Sequence, residues 1–251
     1  MCSILVLRRP GHPWPVVVAA NRDEMADRAW REPARHWPDR PEVVAGLDEV
    51  ARGSWLGLND YGVIAAILNR VGTLGPMEGK RSRGELVLDA LDHADAALAA
   101  EALRDLDPHA YRPFNMIVVD NRDGFWIRNF GDDRPVSVLA LGDGLSMLTA
   151  FERNDATDPR IRRYLPLFRQ AAPPDPDQDQ WAEWEGLLAA RHYDDGSDAT
   201  GAMCFHLTSG FGTSSASLMA LPAVNAAGRR PVWRFAAGSP DVTPFRRVKG
   251  D

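Results

Sequence analysis

Lysine and cysteine are nearly absent from this 251-residue chain: lysine stands only at Lys80 and Lys249, cysteine only at Cys2 and Cys204. Two cysteines make no disulfide framework, and reduced thiols fit the cytoplasm, where we expect the protein to reside. The formal net charge is -6, and the basic residues form no cluster of the kind that tracks phosphates, so nucleic acid is excluded as a partner. No apolar run approaches the roughly 20 residues of a membrane helix, and Ser3 to Leu7 is too short for a signal-peptide core. An integral membrane segment is therefore not expected. The histidines, His12, His36, His93, His109, His192 and His206, are scattered, and no Cys/His group stands at metal-ligand spacing, so no metal site is expected. A GxSxG elbow, an HExxH pair and a dinucleotide glycine fingerprint are likewise missing.

What remains is an ordinary globular composition, 45% hydrophobic and 25% charged. Ser3 to Arg8 and Pro15 to Ala20 read as strands about a Gly11-His12-Pro13 turn. Residues 22 to 52, with Pro33, Pro38 and Pro41, read as a long ordered loop. A second hairpin spans Ser54 to Asn59 and Val63 to Asn69, its second arm apolar on both faces and hence a central strand. Helices are expected over Gly84 to Leu91, Ala94 to Leu106, Pro159 to Phe168 and Trp181 to His192. Further strands fall at 115–120, 125–129, 136–141, 145–149, 214–221 and 232–236. Tight turns between strands imply antiparallel sheets, and helices grouped between sets of strands imply layers rather than βαβ units. With no repeat and no linker, residues 1–251 read as a single α+β domain of stacked sheets covered by helices.

Cys2 has two readings. It is a small buried hydrophobe, or, once Met1 is removed, a nucleophile that carries its own base. An α-amine has a pKa of about 7.7–8.0 and a thiol about 8.5, so the amine can take the thiol's proton near neutrality. Counting back through the first hairpin puts Asn21-Arg22-Asp23-Glu24 opposite Cys2. There an arginine would lower a thiol pKa and a carboxylate would orient an ammonium group; the same four residues also suit a solvated turn. Asn69 ends the apolar strand of the second hairpin as a turn former or an oxyanion donor. Arg83 and Glu85 open a helix for which Ser82 is a candidate N-cap. Gly212-Thr213-Ser214-Ser215 has the small residues of a tight turn.

Taken together, Met1-Cys2, Asn21-Arg22-Asp23-Glu24, Gly53-Ser54-Trp55-Leu56-Gly57-Leu58-Asn59 through Gly62 to Asn69-Arg70, Ser82 to Val87, Phe114-Asn115-Met116-Ile117 and Gly212 to Ser215 resemble the NRDE family, also called the transport and Golgi organisation protein 2 family. The resemblance spans nearly the whole chain. It implies an N-terminal nucleophile hydrolase fold, a four-layer αββα sandwich of two mainly antiparallel sheets. It also implies a cysteine amidohydrolase or acyltransferase acting on a small-molecule, non-peptide amide or acyl substrate without a cofactor. In that reading Cys2 attacks, Arg22 and Asp23 hold it ready, and Asn69 stabilises the oxyanion. Asn21, Glu24, Trp55, Arg83 and Asn115 are the implied supporting or substrate-binding residues.

Two departures stand out. In the wider superfamily the arginine and aspartate after the first hairpin are separated by two residues, whereas Arg22 and Asp23 are adjacent, leaving either Arg22 with Asp23 or Asn21 with Glu24 for those roles. Many relatives carry an Asn where this chain has Ala150, and Asn154 is the nearby candidate to replace it. The alternative reading, also implied by the resemblance, is a non-catalytic carrier of haem, acyl-CoA or another lipid, with Cys2 as a possible axial thiolate for haem iron.

Overall fold

Pro33 lies inside a strand, not in a loop. In the computed structural model, which describes residues 2–226 and 228–249, the elements run β1 (Ser3–Arg8), β2 (Val16–Met25), β3 (Trp30–Ala34), β4 (Val43–Asp48), β5 (Leu56–Asn59), β6 (Ile64–Asn69), α1 (Gly84–Leu91), α2 (Ala96–Arg104), β7 (Phe114–Val119), β8 (Gly124–Asn129), β9 (Ser137–Ala140), β10 (Gly144–Leu148), α3 (Pro159–Gln170), α4 (Ala182–Leu188), β11 (Phe211–Leu221), β12 (Val232–Ala236) and β13 (Arg246–Arg247). The expected loop over 22–52 therefore contains the end of β2 and all of β3 and β4. A proline is tolerated in β3 because that strand is the edge of its sheet and its register to β4 shifts between Arg31 and Ala34. Helices α2 and α4 are shorter than expected at both ends, and β13, only two residues long, gives no sequence signal.

The chain divides into two compact units, Met1–Arg28 with Asp143–Val248, and Ala29–Gly142. The first carries a six-stranded antiparallel sheet in the order β10-β1-β2-β11-β12-β13. Its core joins Leu5, Val17, Ala19 and Leu218 of the sheet to Ile161, Tyr164 and Phe168 of α3 and Trp184 and Leu188 of α4. Strand alternation places these sheet residues, all at positions of one parity along each strand, on the helix-covered face. Burying one such Leu or Phe side chain stabilises by roughly 1.5–3 kcal/mol. Helix α3 starts on Asp158, whose carboxylate accepts the Arg160 N–H at 2.8 Å, with Pro159 in the first turn.

The second unit is an antiparallel meander of seven strands, β3 to β9 in chain order, with β6 at its centre as its two-sided apolar sequence requires. Helices α1 and α2 pack Leu86, Val87, Leu91, Ala99 and Leu103 against Val43, Ala45, Phe114 and Met116. Ser82 is not the residue at the helix boundary: Arg83 holds that position with no side-chain cap, while Ser82 Oγ accepts the Gly84 N–H at 3.3 Å. Among the described residues no helix is long and apolar enough to cross a membrane.

Candidate active site around Cys2

Cys2 stands one residue ahead of β1, whose antiparallel pairing to β2 sets Ser3 opposite Asn21 and runs on to Arg8 opposite Val16. Continuing that register brings the thiol to the polar end of β2. Cys2 Sγ accepts the Asp23 N–H at 3.3 Å, and its thiol lies 3.5 Å from the Asp23 carbonyl oxygen, which it can donate to. Met1, on whose removal a free amine depends, lies outside the described residues.

The four polar residues of β2 are not a solvated turn. They continue the strand, pairing with β11 from Asn21 opposite Ala216 to Glu24 opposite Gly212, and three of them are buried. Alternation then divides them between two faces. Asn21 and Asp23 point to the helix-covered side. Asn21 Nδ2 donates to the carbonyls of Leu188 and Met203, each at 2.9 Å, tying the strand to the end of α4 and to the segment before β11. Its buried Oδ1 accepts nothing among the described residues. Asp23 accepts from Thr213 Oγ1 at 2.8 Å and from Arg160 Nη1 at 2.9 Å. Arg22 and Glu24 occupy the opposite face: Arg22 donates to Ser214 Oγ at 3.3 Å and pairs with Glu24 at 3.7 Å, while Ser214 donates back to the Arg22 carbonyl at 3.1 Å.

Arg160 is the residue that sequence reasoning missed. Its side chain is 2% exposed and that of Asp23 is not exposed at all. The guanidinium also donates to Ser3 Oγ at 2.6 Å and twice to the Thr200 carbonyl, at 2.8 and 3.1 Å, and its plane lies near the Phe205 ring. A buried carboxylate is held only where it is paired and hydrogen-bonded, and Arg160 with Thr213 supplies both. The result is a fixed support beneath the Cys2 segment, since Ser3 and Asp23 share one guanidinium. Burial pushes the Cys2 thiol above the ordinary range and the Asp23 charge adds to this, while the Asp23 N–H and the Arg22 charge pull it back.

Asn69, Trp55, Arg83 and Asn115 belong to the second unit. There Asn69 ends β6 and Nδ2 donates to the Arg70 carbonyl at 3.2 Å. Asn115, fully buried on β7, accepts from Arg70 Nη1 at 2.7 Å and from Trp126 Nε1 at 3.2 Å. Arg83 Nη1 reaches Thr73 Oγ1 at 3.1 Å and the Pro113 carbonyl at 3.0 Å, so Arg83, Arg70 and Asn115 gather around the Thr73 turn. Trp55 instead packs edge-on against Trp30, with ring centres 5.7 Å apart. In the first unit Ala150 is buried, and Asn154 spends its side-chain oxygen on the Met147 N–H at 2.7 Å, fastening β10.

The α+β fold of two antiparallel sheets with covering helices is like that of the N-terminal nucleophile hydrolases. Solved structures share it over nearly the whole chain. A Caenorhabditis elegans ortholog of N-acylethanolamine-hydrolyzing acid amidase matches with a TM-score of 0.58 at 13% identity, covering 90% of this chain and 95% of its own. Penicillin V acylase from Agrobacterium tumefaciens gives 0.55 at 11% identity, with 99% and 98% covered. A cysteine-to-alanine mutant of conjugated bile acid hydrolase from Clostridium perfringens gives 0.52 at 12% identity, with 100% and 97% covered.

Residues 1–183 match the family described as Transport and Golgi organisation 2, and the chain belongs to that family. A Bos taurus Transport and Golgi organization protein 2 homolog is 36% identical over 110 residues, 42% of this chain. That match spans 38% of the relative's length.

Proposed function

We propose that the protein is a cysteine amidohydrolase or acyltransferase of the N-terminal nucleophile type, acting on a small non-peptide amide or acyl substrate. The observation that carries this reading is the seat of Cys2: its sulfur accepts the Asp23 N–H, and the strand beneath it is pinned through Asp23 to Arg160. The solved proteins that share the fold are named as an amidase, an acylase and a hydrolase, which supports the same reaction class for this chain.

In this reaction, removal of Met1 frees the Cys2 α-amine, which takes the thiol's proton. The thiolate attacks the substrate carbonyl carbon, and the C–N bond breaks as the α-ammonium returns its proton to the leaving amine. A thioester remains on Cys2. Water, or a second amine for transfer, attacks it with its proton passing to the α-amine, and the acyl group leaves with the thiolate restored. Of the alternatives at the end of β2, Arg22 and the backbone of Asp23 serve the sulfur, whereas Asn21 and the Asp23 carboxylate serve the strand. The resemblance gives Asn69 the oxyanion, so Asn69→Ala is expected to slow acylation at least tenfold without changing which residue is acylated.

The test is covalent labelling with an activated ester or a β-lactam. A single adduct on Cys2, absent in Cys2→Ala, is expected. An adduct of undiminished yield in Cys2→Ala would overturn the mechanism.

A further inference from the structure

Outside the Cys2 site, the first unit gathers a second group of reactive side chains. Cys204 and His206 lie just ahead of β11, held by the Cys204 N–H to the Ala190 carbonyl at 2.9 Å and by the bridge of His206 to Gly212. Both side chains reach Ser239 in the turn after β12, where Asp241 also lies. One ligand atom from each of Cys204, His206 and Asp241 lies within 4.8 Å of the others. Spacing along the chain conceals this set, because Asp241 is remote in sequence from the other two.

The position among them is held by one hydroxyl. Ser239 Oγ is 3.1 Å from Cys204 Sγ and 2.8 Å from His206 Nε2, and it donates to Asp241 Oδ1. A hydroxyl has one proton, so having given it to Asp241 it accepts from both other partners, a thiol S–H and an imidazole Nε2–H. Three groups that want one shared partner therefore converge on a single oxygen. The histidine ring reaches this point because residue 212 is glycine: a Cβ there would stand 2.9 Å from His206 Nδ1. Arg191 Nη1 lies 3.3 Å from Asp241 Oδ2 and leaves Oδ1 to the cluster.

We propose that Cys204, His206 and Asp241 form a binding site for a divalent transition metal of the zinc class, with the Ser239 hydroxyl bridging the three ligands in the metal-free protein. A thiolate, an imidazole and a carboxylate suit zinc and disfavour magnesium and calcium, and three protein ligands leave a fourth position for water or for Ser239 itself. Zinc–ligand lengths of about 2.0–2.3 Å at tetrahedral angles need ligand atoms roughly 3.3–3.6 Å apart, so the set must close by about 1 Å. His206 is half exposed and Asp241 sits in a turn, so both can rotate inward. On binding, the Cys204 proton leaves to solvent and the imidazole proton resides on Nδ1, freeing the Nε2 lone pair. The site is independent of the proposed catalysis at Cys2.

An N-terminal cysteine is itself an N,S chelator, so the test uses the full chain as Cys2→Ala, stripped with chelator and titrated with Co(II). Binding of one equivalent, with a thiolate-to-cobalt charge-transfer absorption, is expected. Cys204→Ser in the same background should abolish that absorption, and His206→Ala, at a half-exposed position, should weaken binding at least tenfold with the fold intact. No cobalt–thiolate absorption in Cys2→Ala, or its persistence in Cys204→Ser, would overturn the site. Should Cys204→Ser fail to fold, unchanged cobalt affinity in His206→Ala and Asp241→Asn would do so instead.

Discussion

Arg160 Nη1 lies 2.9 Å from Asp23 Oδ2 in a pair almost wholly withdrawn from water, joining the first turn of α3 to the end of β2. The same guanidinium holds Ser3, the neighbour of Cys2. The seat of the candidate nucleophile is therefore built from an ion pair, and its consequences are open to measurement.

Replacing Arg160 by leucine removes the buried cation that pairs with Asp23. Loss of one member of a buried pair costs about 3–5 kcal/mol, far more than loss of a surface pair. The stability of Arg160→Leu in denaturant unfolding is expected to fall by that amount, whereas Arg162→Leu, at a half-exposed position beside Asp194, should stay within about 1 kcal/mol of the parent.

Asn21 ties the end of β2 to Leu188 and Met203. Its Nδ2 donates to two buried carbonyls, and Asn21→Ala removes that donor from both, the Met203 carbonyl also having Thr213 Oγ1 at 3.4 Å, at about 1–3 kcal/mol. Asn21→Asp should be worse, because it sets a carboxylate against the Leu188 and Met203 oxygens. Equilibrium unfolding checks the order; equal stability of parent and Asn21→Asp would contradict it.

The Cys2 thiol is shifted up, first by burial and then by the Asp23 charge. In protein that retains Met1, alkylation of Cys2 should therefore still be rising with pH beyond the ordinary thiol pKa of about 8.5. Arg22→Ala removes a charge that pulls the pKa down, so its profile should move to higher pH. Freeing the α-amine adds a positive charge on the same residue and should move it to lower pH. The sign for stability follows: the unfolded thiol ionises before the folded one, so the folded state loses stability as pH rises from the unfolded value toward the folded value. Iodoacetamide rates at stepped pH, read by peptide mass, test all three.

Much of this architecture is legible in the chain. The limits of β1, α1 and β12 follow from β-branched runs, turn residues and helical periodicity, and the central place of β6 follows from its two apolar faces. The stretch over 22–52 was not legible, because prolines that exclude central strands are compatible with an edge strand such as β3. Asn21 to Glu24 read equally well as a turn, since polar residues in a strand are unusual unless their partners, here from α3, the segment after α4 and β11, are known. Arg160 sits beside Arg162 and Arg163 and looks like them. The available signal was its place on the apolar stripe of α3, four residues before Tyr164 and eight before Phe168.

The most direct test of the central claim is intact mass with N-terminal peptide mapping on untagged protein, before and after an acylating probe. The account predicts loss of Met1 and one acyl group on Cys2. Retained Met1 with no adduct would contradict it, and would favour a carrier of haem or acyl-CoA in which Cys2 has no free amine.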